Sequence, residues 1–161
     1  MKTLRELSRN PVHLLAFGFG SGLLRPAPGT WGTLAGLLLY YPLARLPAPL
    51  LAVFLVVAFI GGCGLCGRTS RDLGVHDFGG IVWDEMVAIW LLLAYYPSFT
   101  AQPSWLRALL AFLGFRLFDI WKPWPIKFFD RRLETGFGIM FDDLLAAGYA
   151  WLLLAGIQLW F

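Results

Sequence analysis

Residues 48–67 run for twenty positions without a charged side chain, and no other feature restricts the fold of this chain so strongly. About twenty apolar residues in a helix match the hydrocarbon thickness of a bilayer. Inside hydrocarbon every backbone N–H and C=O must find its partner within the structure, which leaves helices or closed barrels. The alternating apolar and polar pattern of a barrel strand is absent. Four shorter apolar stretches accompany the long one, at residues 31–44, 86–96, 105–118 and 144–161. Overall 58% of the residues are apolar and 14% charged, against roughly 45–50% and 25% in soluble domains. A soluble core of this size could not hide that surplus. The expected fold is therefore all-α: one domain over residues 1–161, an integral membrane helical bundle of about five apolar helices. The shorter helices are expected to begin inside the charged motifs, or to rest against longer neighbours without crossing alone.

Threading those helices as two hairpins and a final helix sorts the charges. Eleven of the thirteen basic residues fall on the side that receives residues 1–30, 67–85 and 116–143, leaving Arg45 and Arg107 opposite. The positive-inside rule makes the basic side cytoplasmic. All ten acids fall on that side too. A multi-pass protein of a plasma membrane, with its polar chemistry facing the cytoplasm, is the expectation. A sequence pI near 9.1 then reports topology rather than nucleic-acid binding, because so apolar a chain offers no soluble basic surface. Cys63 and Cys66 form a lone CxxC among glycines. Without a second cysteine pair it reads as small residues at a close helix contact, not as half a zinc site. Lys2, Arg5 and Arg9 mimic the start of a signal peptide, but the apolar stretch that follows is cut by Gly18, Gly20 and Gly22 and shows no small-residue cleavage pattern.

Three segments set acids against apolar helices. Asp84 and Glu85 open one, Asp142 and Asp143 another, and Asp119 stands three residues before Lys122, on the same face of a helix that Pro123 and Pro125 terminate. Adjacent carboxylates repel, and an anion near hydrocarbon is costly unless compensated. A divalent cation compensates well, and paired hard oxygen ligands suit Mg²⁺. The simpler reading is that helix N-termini favour acids for dipole and capping reasons. That accounts for one such acid more readily than for three segments with Lys122 beside them. Asp77 and His76 are candidates for orienting other ligands, Asp77 also for a direct role. Asp72, Asp130 and Glu134 lie among Arg71, Arg131 and Arg132, where local ion pairing explains them.

The glycine-rich segment 18–33 has another character. A helix starting near Thr30 would aim its positive end at an anion, and Arg25 could add a bidentate phosphate contact. No Lys-Ser/Thr ending makes it a P-loop. A Thr30 N-cap with glycines for close packing is the competing account.

On four of these stretches the sequence resembles the phosphatidylglycerophosphatase A family: PAPGTWG at 26–32, His76-Asp77 with IVWDE at 81–85, FRLFDIWKPWPI at 115–126, and GFGIMFDD at 136–143. It departs from the family pattern at Phe78, often proline, at Ala88, often glycine, and at Ala147, where glycine comes one residue later at Gly148. The resemblance implies a helical, Mg²⁺-dependent phosphatase of the bacterial inner membrane. Its phospholipid substrate would be phosphatidylglycerophosphate, and its products phosphatidylglycerol and inorganic phosphate. On that reading Asp84, Glu85, Asp142 and Asp143 hold metal. Asp119, Lys122 and Asp77 serve catalysis, with Asp119 a base or a further ligand. Arg25, Thr30, Arg116 and Lys122 bind the phosphorylated headgroup. Attack by water and a covalent aspartyl phosphate both remain open, and oligomeric state is undecided. Alternatives are another membrane phospholipid phosphatase, a phosphotransferase, or a transporter using carboxylates. The Asp-Gly-x-x-Ala-Arg pattern of CDP-alcohol phosphotransferases is absent, as is the internal repeat many transporters carry.

Overall fold

Proline and glycine set the helix boundaries. In a computed structural model, which describes residues 9–76, 78–97 and 102–160, seven α-helices and one 3₁₀ segment make up the ordered framework. Helix α1 (Pro11–Ala16) starts on Asn10, whose side chain accepts from the Val12 N–H at 3.0 Å. The 3₁₀ segment Gly18–Leu23 follows. Helix α2 (Pro28–Leu43) has proline in its first turn, as does α3 (Ala48–Leu73), where the missing N–H would have had no intrahelical partner. Helix α3 stops at Gly74, which takes the left-handed conformation (φ 68°) of a C-terminal cap. Helices α4 (Trp83–Ala94), α5 (Ser104–Trp121), α6 (Ile126–Arg132) and α7 (Gly136–Trp160) complete the chain.

Two of these helices are long and apolar enough to cross a membrane, α3 with 26 residues and α7 with 25. At 1.5 Å per residue each is about 37–39 Å long, more than the roughly 30 Å hydrocarbon layer. With two candidate spans among the described residues, the expected bundle of about five apolar helices is not confirmed. Helix α4 has only 12 residues, about 18 Å. It is buried nearly all round, from Met86 through Trp90, because α2, α3, α5 and α7 all pack on it. A helix that is apolar on every face needs such enclosure. Helix α4 does begin inside a charged motif, with Asp84 and Glu85 in its first turn, whereas α5 begins at Ser104 and carries Arg116 and Asp119 near its end.

Helix α7 packs against α3, α4, α5 and α6. Its contact with α3 depends on glycine. A Cβ on Gly136 would overlap the Cys63 carbonyl and lie 2.7 Å from the Gly67 nitrogen. The CxxC segment thus belongs to this contact, with the Cys66 thiol 3.9 Å from the Met140 sulfur. On its other side α3 turns Val53, Val56, Val57 and Ile60 outward, each 57–66% exposed. The ends of α2 and α4 and the start of α5 meet at one end, where Tyr40, Tyr41, Ala94, Tyr96, Trp105 and Arg107 help line a common cavity. The starts of α2 and α4 and the end of α5 meet in a second cavity together with residues of α7.

Candidate active site

The face of α2 that meets α4 is built of small residues at helical spacing: Gly29, Gly32, Thr33 and Gly36 are all buried. A Cβ on Gly32 would press into Val82, and one on Gly36 would come within 3.2 Å of the Met86 Cα. Close approach of the two helices brings Thr33, which is fully buried, onto the first turn of α4. Its hydroxyl bridges the Gly29 carbonyl at 2.8 Å and Glu85 Oε2 at 3.1 Å. Gly29 has no room for a side chain, since a Cβ there would collide with Glu85 Oε1 and stand 2.9 Å from Arg116 Nη1.

A cleft of about 340 Å³ opens at this junction. Its charged lining is Asp84 and Glu85 from α4, Arg116 and Asp119 from α5, Lys122 from the end of α5, and Asp142 and Asp143 from α7. Residues 27–29, Gly79, Ile81 and Ile120 form the remaining wall. Asp84, Asp142 and Asp143 are each 4–6% exposed. Arg116 pairs with Glu85 at 3.3 Å and with Asp119. Lys122 Nζ reaches Asp142 Oδ2 at 2.6 Å and Asp130 Oδ1 at 2.9 Å. Asp143 Oδ2 is buried and has no hydrogen-bond partner among the described residues. No three histidine, cysteine or acidic side chains among the described residues form a preassembled metal cage.

Burial pushes the Glu85 carboxyl up to about 8, with Asp119 adding to the rise and Arg116 and Thr33 opposing it. For Lys122 burial alone would favour the neutral amine. The carboxylates of Asp142 and Asp130 outweigh it and hold the ammonium charged far into the alkaline range.

The geometry rearranges several sequence expectations. Asp142 and Asp143 do not precede their helix; they are the seventh and eighth residues of α7, too far inside to be N-terminal caps, whose effect is confined to the first turn. Asp84 and Glu85 do lie in the first turn of α4, and Asp84 Oδ1 accepts from the Glu85 N–H at 3.0 Å. Asp119 pairs with Arg116 across one helical turn, while Lys122 leaves that face: preceding Pro123, it adopts a left-handed conformation (φ 44°) and turns to Asp142. Asp130 does not pair with its neighbouring arginines but with Lys122, and Asp72 pairs with His13 at 3.1 Å and Arg68 at 4.0 Å.

Helix α2 starts at Pro28 on Ala27 rather than on a Thr30 cap. Thr30, expected to cap the helix or bind substrate, lies one position off the buried glycine face, while Thr33, which the sequence reading did not single out, bonds Glu85. The spacing of Gly29, Gly32, Thr33 and Gly36 carried that signal. Arg25 is exposed and lines an adjoining cavity, not this cleft. His76 is exposed; Asp77 lies outside the described residues. Phe78 packs edge-on against Phe17, their ring centres 6.4 Å apart.

Comparison with known proteins identifies the family. The family model described as Phosphatidylglycerophosphatase A matches residues 14–158. The chain is 53% identical to the Phosphatidylglycerophosphatase A of Haemophilus influenzae over 152 residues, covering 94% of this chain and 91% of the relative. It is 46% identical to that of Escherichia coli, over 85% of this chain and 77% of the relative. A Bacteroides thetaiotaomicron protein, provisionally named a phosphatidylinositol-3-phosphatase, is 34% identical over 88% of this chain and 90% of its own length. No solved structure matches. The match includes every residue that lines the cleft, and this chain belongs to the phosphatidylglycerophosphatase A family.

Proposed function

We propose that the chain is a Mg²⁺-dependent lipid phosphatase that hydrolyses the terminal monoester of phosphatidylglycerophosphate, giving phosphatidylglycerol and inorganic phosphate. Family membership supports the substrate. The observation that carries the chemistry is the packing of Asp84, Glu85, Asp142 and Asp143 with Lys122 and Arg116 around one cleft. Uncompensated, such a group of buried carboxylates would be strongly destabilising. The hydrogen-bond vacancy at Asp143 Oδ2 fits a hard cation, and Mg²⁺ does not need a preassembled cage. It commonly takes one or two carboxylates and completes its shell with waters and phosphate oxygens. Held by Asp84, Glu85, Asp142 and Asp143, the ion would polarise phosphoryl oxygens and acidify a water.

The protein's own groups divide the remaining work. Lys122 and Arg116 place fixed positive charge where the phosphoryl oxygens gather negative charge in the transition state. Asp119, held by Arg116 at the cleft, is placed to accept a proton from the attacking water. Thr33 fixes the rotamer of Glu85, and Asp130 does the same for Lys122. The positive end of α2, at residues 27–29 of the cleft wall, favours an anionic headgroup.

The same proposal places the protein in a bacterial inner membrane, with α3 and α7 crossing and the cleft facing the cytoplasm. The outward valines and isoleucine of α3 support a lipid-facing surface. Exposed tryptophans stand near both ends of the bundle, Trp121 and Trp124 beside the cleft and Trp105 and Trp160 away from it, as in interfacial aromatic belts. Release of phosphate from phosphatidylglycerophosphate by the purified protein, measured with Mg²⁺ and then with chelator, tests the reading. A protein that binds the lipid but releases no phosphate would refute it. Full activity in both Asp84→Ala and Asp142→Ala would refute the site.

A further inference from the structure

Arg25 lines a cavity of about 220 Å³ beside the cleft. Pro28 and Gly79 line both spaces, so the two adjoin. The second cavity is shaped by two chain segments that meet without side chains between them. A Cβ on Gly22 would strike the Gly80 carbonyl, and one on Gly80 would come within 3.0 Å of the Gly22 carbonyl and 2.6 Å of Phe78 Cε1. Among the described residues that line this cavity Arg25 carries the charge. The cleft next to it is lined by five carboxylates against two cations. An anion that brings no metal with it is repelled by the cleft's acids and attracted by Arg25.

Phosphatidylglycerophosphate has two phosphates at the two ends of a three-carbon glycerol: a terminal monoester and an internal phosphodiester. If the monoester occupies the cleft, the diester must lie close by, carries a single negative charge and takes no part in the reaction. Resting on the function proposed above, we propose that the Arg25 cavity is the subsite for this phosphodiester and gives the enzyme its grip on a two-phosphate lipid. Arg25 is then a specificity residue that holds the diester, apart from the phosphoryl group that is transferred. A planar guanidinium suits two phosphodiester oxygens at once. The product phosphatidylglycerol keeps its diester, so it must compete for the same cavity, whereas inorganic phosphate has only the monoester's chemistry.

The test is steady-state phosphate release from phosphatidylglycerophosphate in detergent micelles with Mg²⁺, by the wild type, Arg25→Gln and Arg25→Lys. Loss of a charge-assisted contact predicts a KM raised about tenfold or more in Arg25→Gln, with kcat within about twofold. The inhibition constant of phosphatidylglycerol should rise by the same factor and that of inorganic phosphate should not. Arg25→Lys should fall between. An unchanged KM, parallel rises for both inhibitors, or a wild type that phosphatidylglycerol does not inhibit would overturn the subsite alone. A folded wild type that releases no phosphate would overturn the parent reading and this one with it.

Discussion

Lys122 Nζ donates a hydrogen bond to Asp142 Oδ2 at 2.6 Å, joining the end of α5 to the second turn of α7. The same ammonium is held from behind by Asp130 at 2.9 Å. Pro123 disfavours a right-handed helical conformation at Lys122, which ends the helix in a left-handed one (φ 44°) from which its side chain reaches both. A residue in that region of backbone space is strained and persists when its surroundings hold it there. Removing the charge with Lys122→Met should lower kcat by about a hundredfold or more. Asp130→Asn leaves the Asp142 contact in place and should cost less than about tenfold. Equal losses in the two variants, in a phosphate-release assay at saturating lipid, would contradict this hierarchy.

Thr33 and Thr30 offer a sharper contrast, because the sequence presents them alike. The Thr33 hydroxyl bonds Glu85 and is fully buried, so Thr33→Val removes a hydrogen bond at nearly constant shape. A loss of about 1 kcal/mol or more, roughly fivefold in kcat/KM, is expected. Thr30→Val should stay within about twofold, since Thr30 is half-buried and lies off the glycine face that meets Glu85. Similar kinetics for the two would show that the hydroxyl on Glu85 does not matter.

Glu85 connects the site to pH. Burial pushes its carboxyl up to about 8 in the metal-free protein, so near neutrality it holds a proton that a cation must displace. Affinity for Mg²⁺ should therefore rise with pH toward about 8 and level off above it, with proton release on binding. Below that range the protonated carboxyl withholds one ligand. Activation by Mg²⁺, titrated between pH 6.5 and 8.5, should show the trend in the wild type and a flatter one in Glu85→Gln. Identical activation midpoints across the range in the wild type would rule it out.

The α3–α7 contact predicts a difference between two glycines of one helix. Gly136→Ala forces a Cβ into the Cys63 carbonyl, a backbone atom that cannot swing aside, and should destabilise by about 1–3 kcal/mol or more. Gly148 has open space at its Cβ position, and alanine there should be neutral or stabilising by up to about 1 kcal/mol, from helix propensity. Thermal denaturation midpoints in detergent would decide. A Gly136→Ala midpoint at or above that of the wild type would show that the packing is looser than described.

The sequence by itself determined the class of fold and singled out the charged residues that line the cleft. An uncharged run of twenty residues admits few structures other than a helix in apolar surroundings. Proline and glycine act through their own dihedral angles, so the end of α5 before Pro123 was legible without neighbours. The paired acids at 84–85 and 142–143 declared themselves because their repulsion is local. Tertiary structure decided the rest, because it depends on which helix packs against which. Periodicity cannot tell a short span from a core helix, so the enclosure of α4 by four neighbours stayed hidden. Asp130 has Arg131 and Arg132 beside it in sequence, yet it turns to Lys122 in space. Thr33 rather than Thr30 meets Glu85 because glycines let α2 settle onto α4 in one register. Lys122 reaches Asp142 across the chain reversal that Pro123 begins, and no local rule of sequence fixes where that reversal leads.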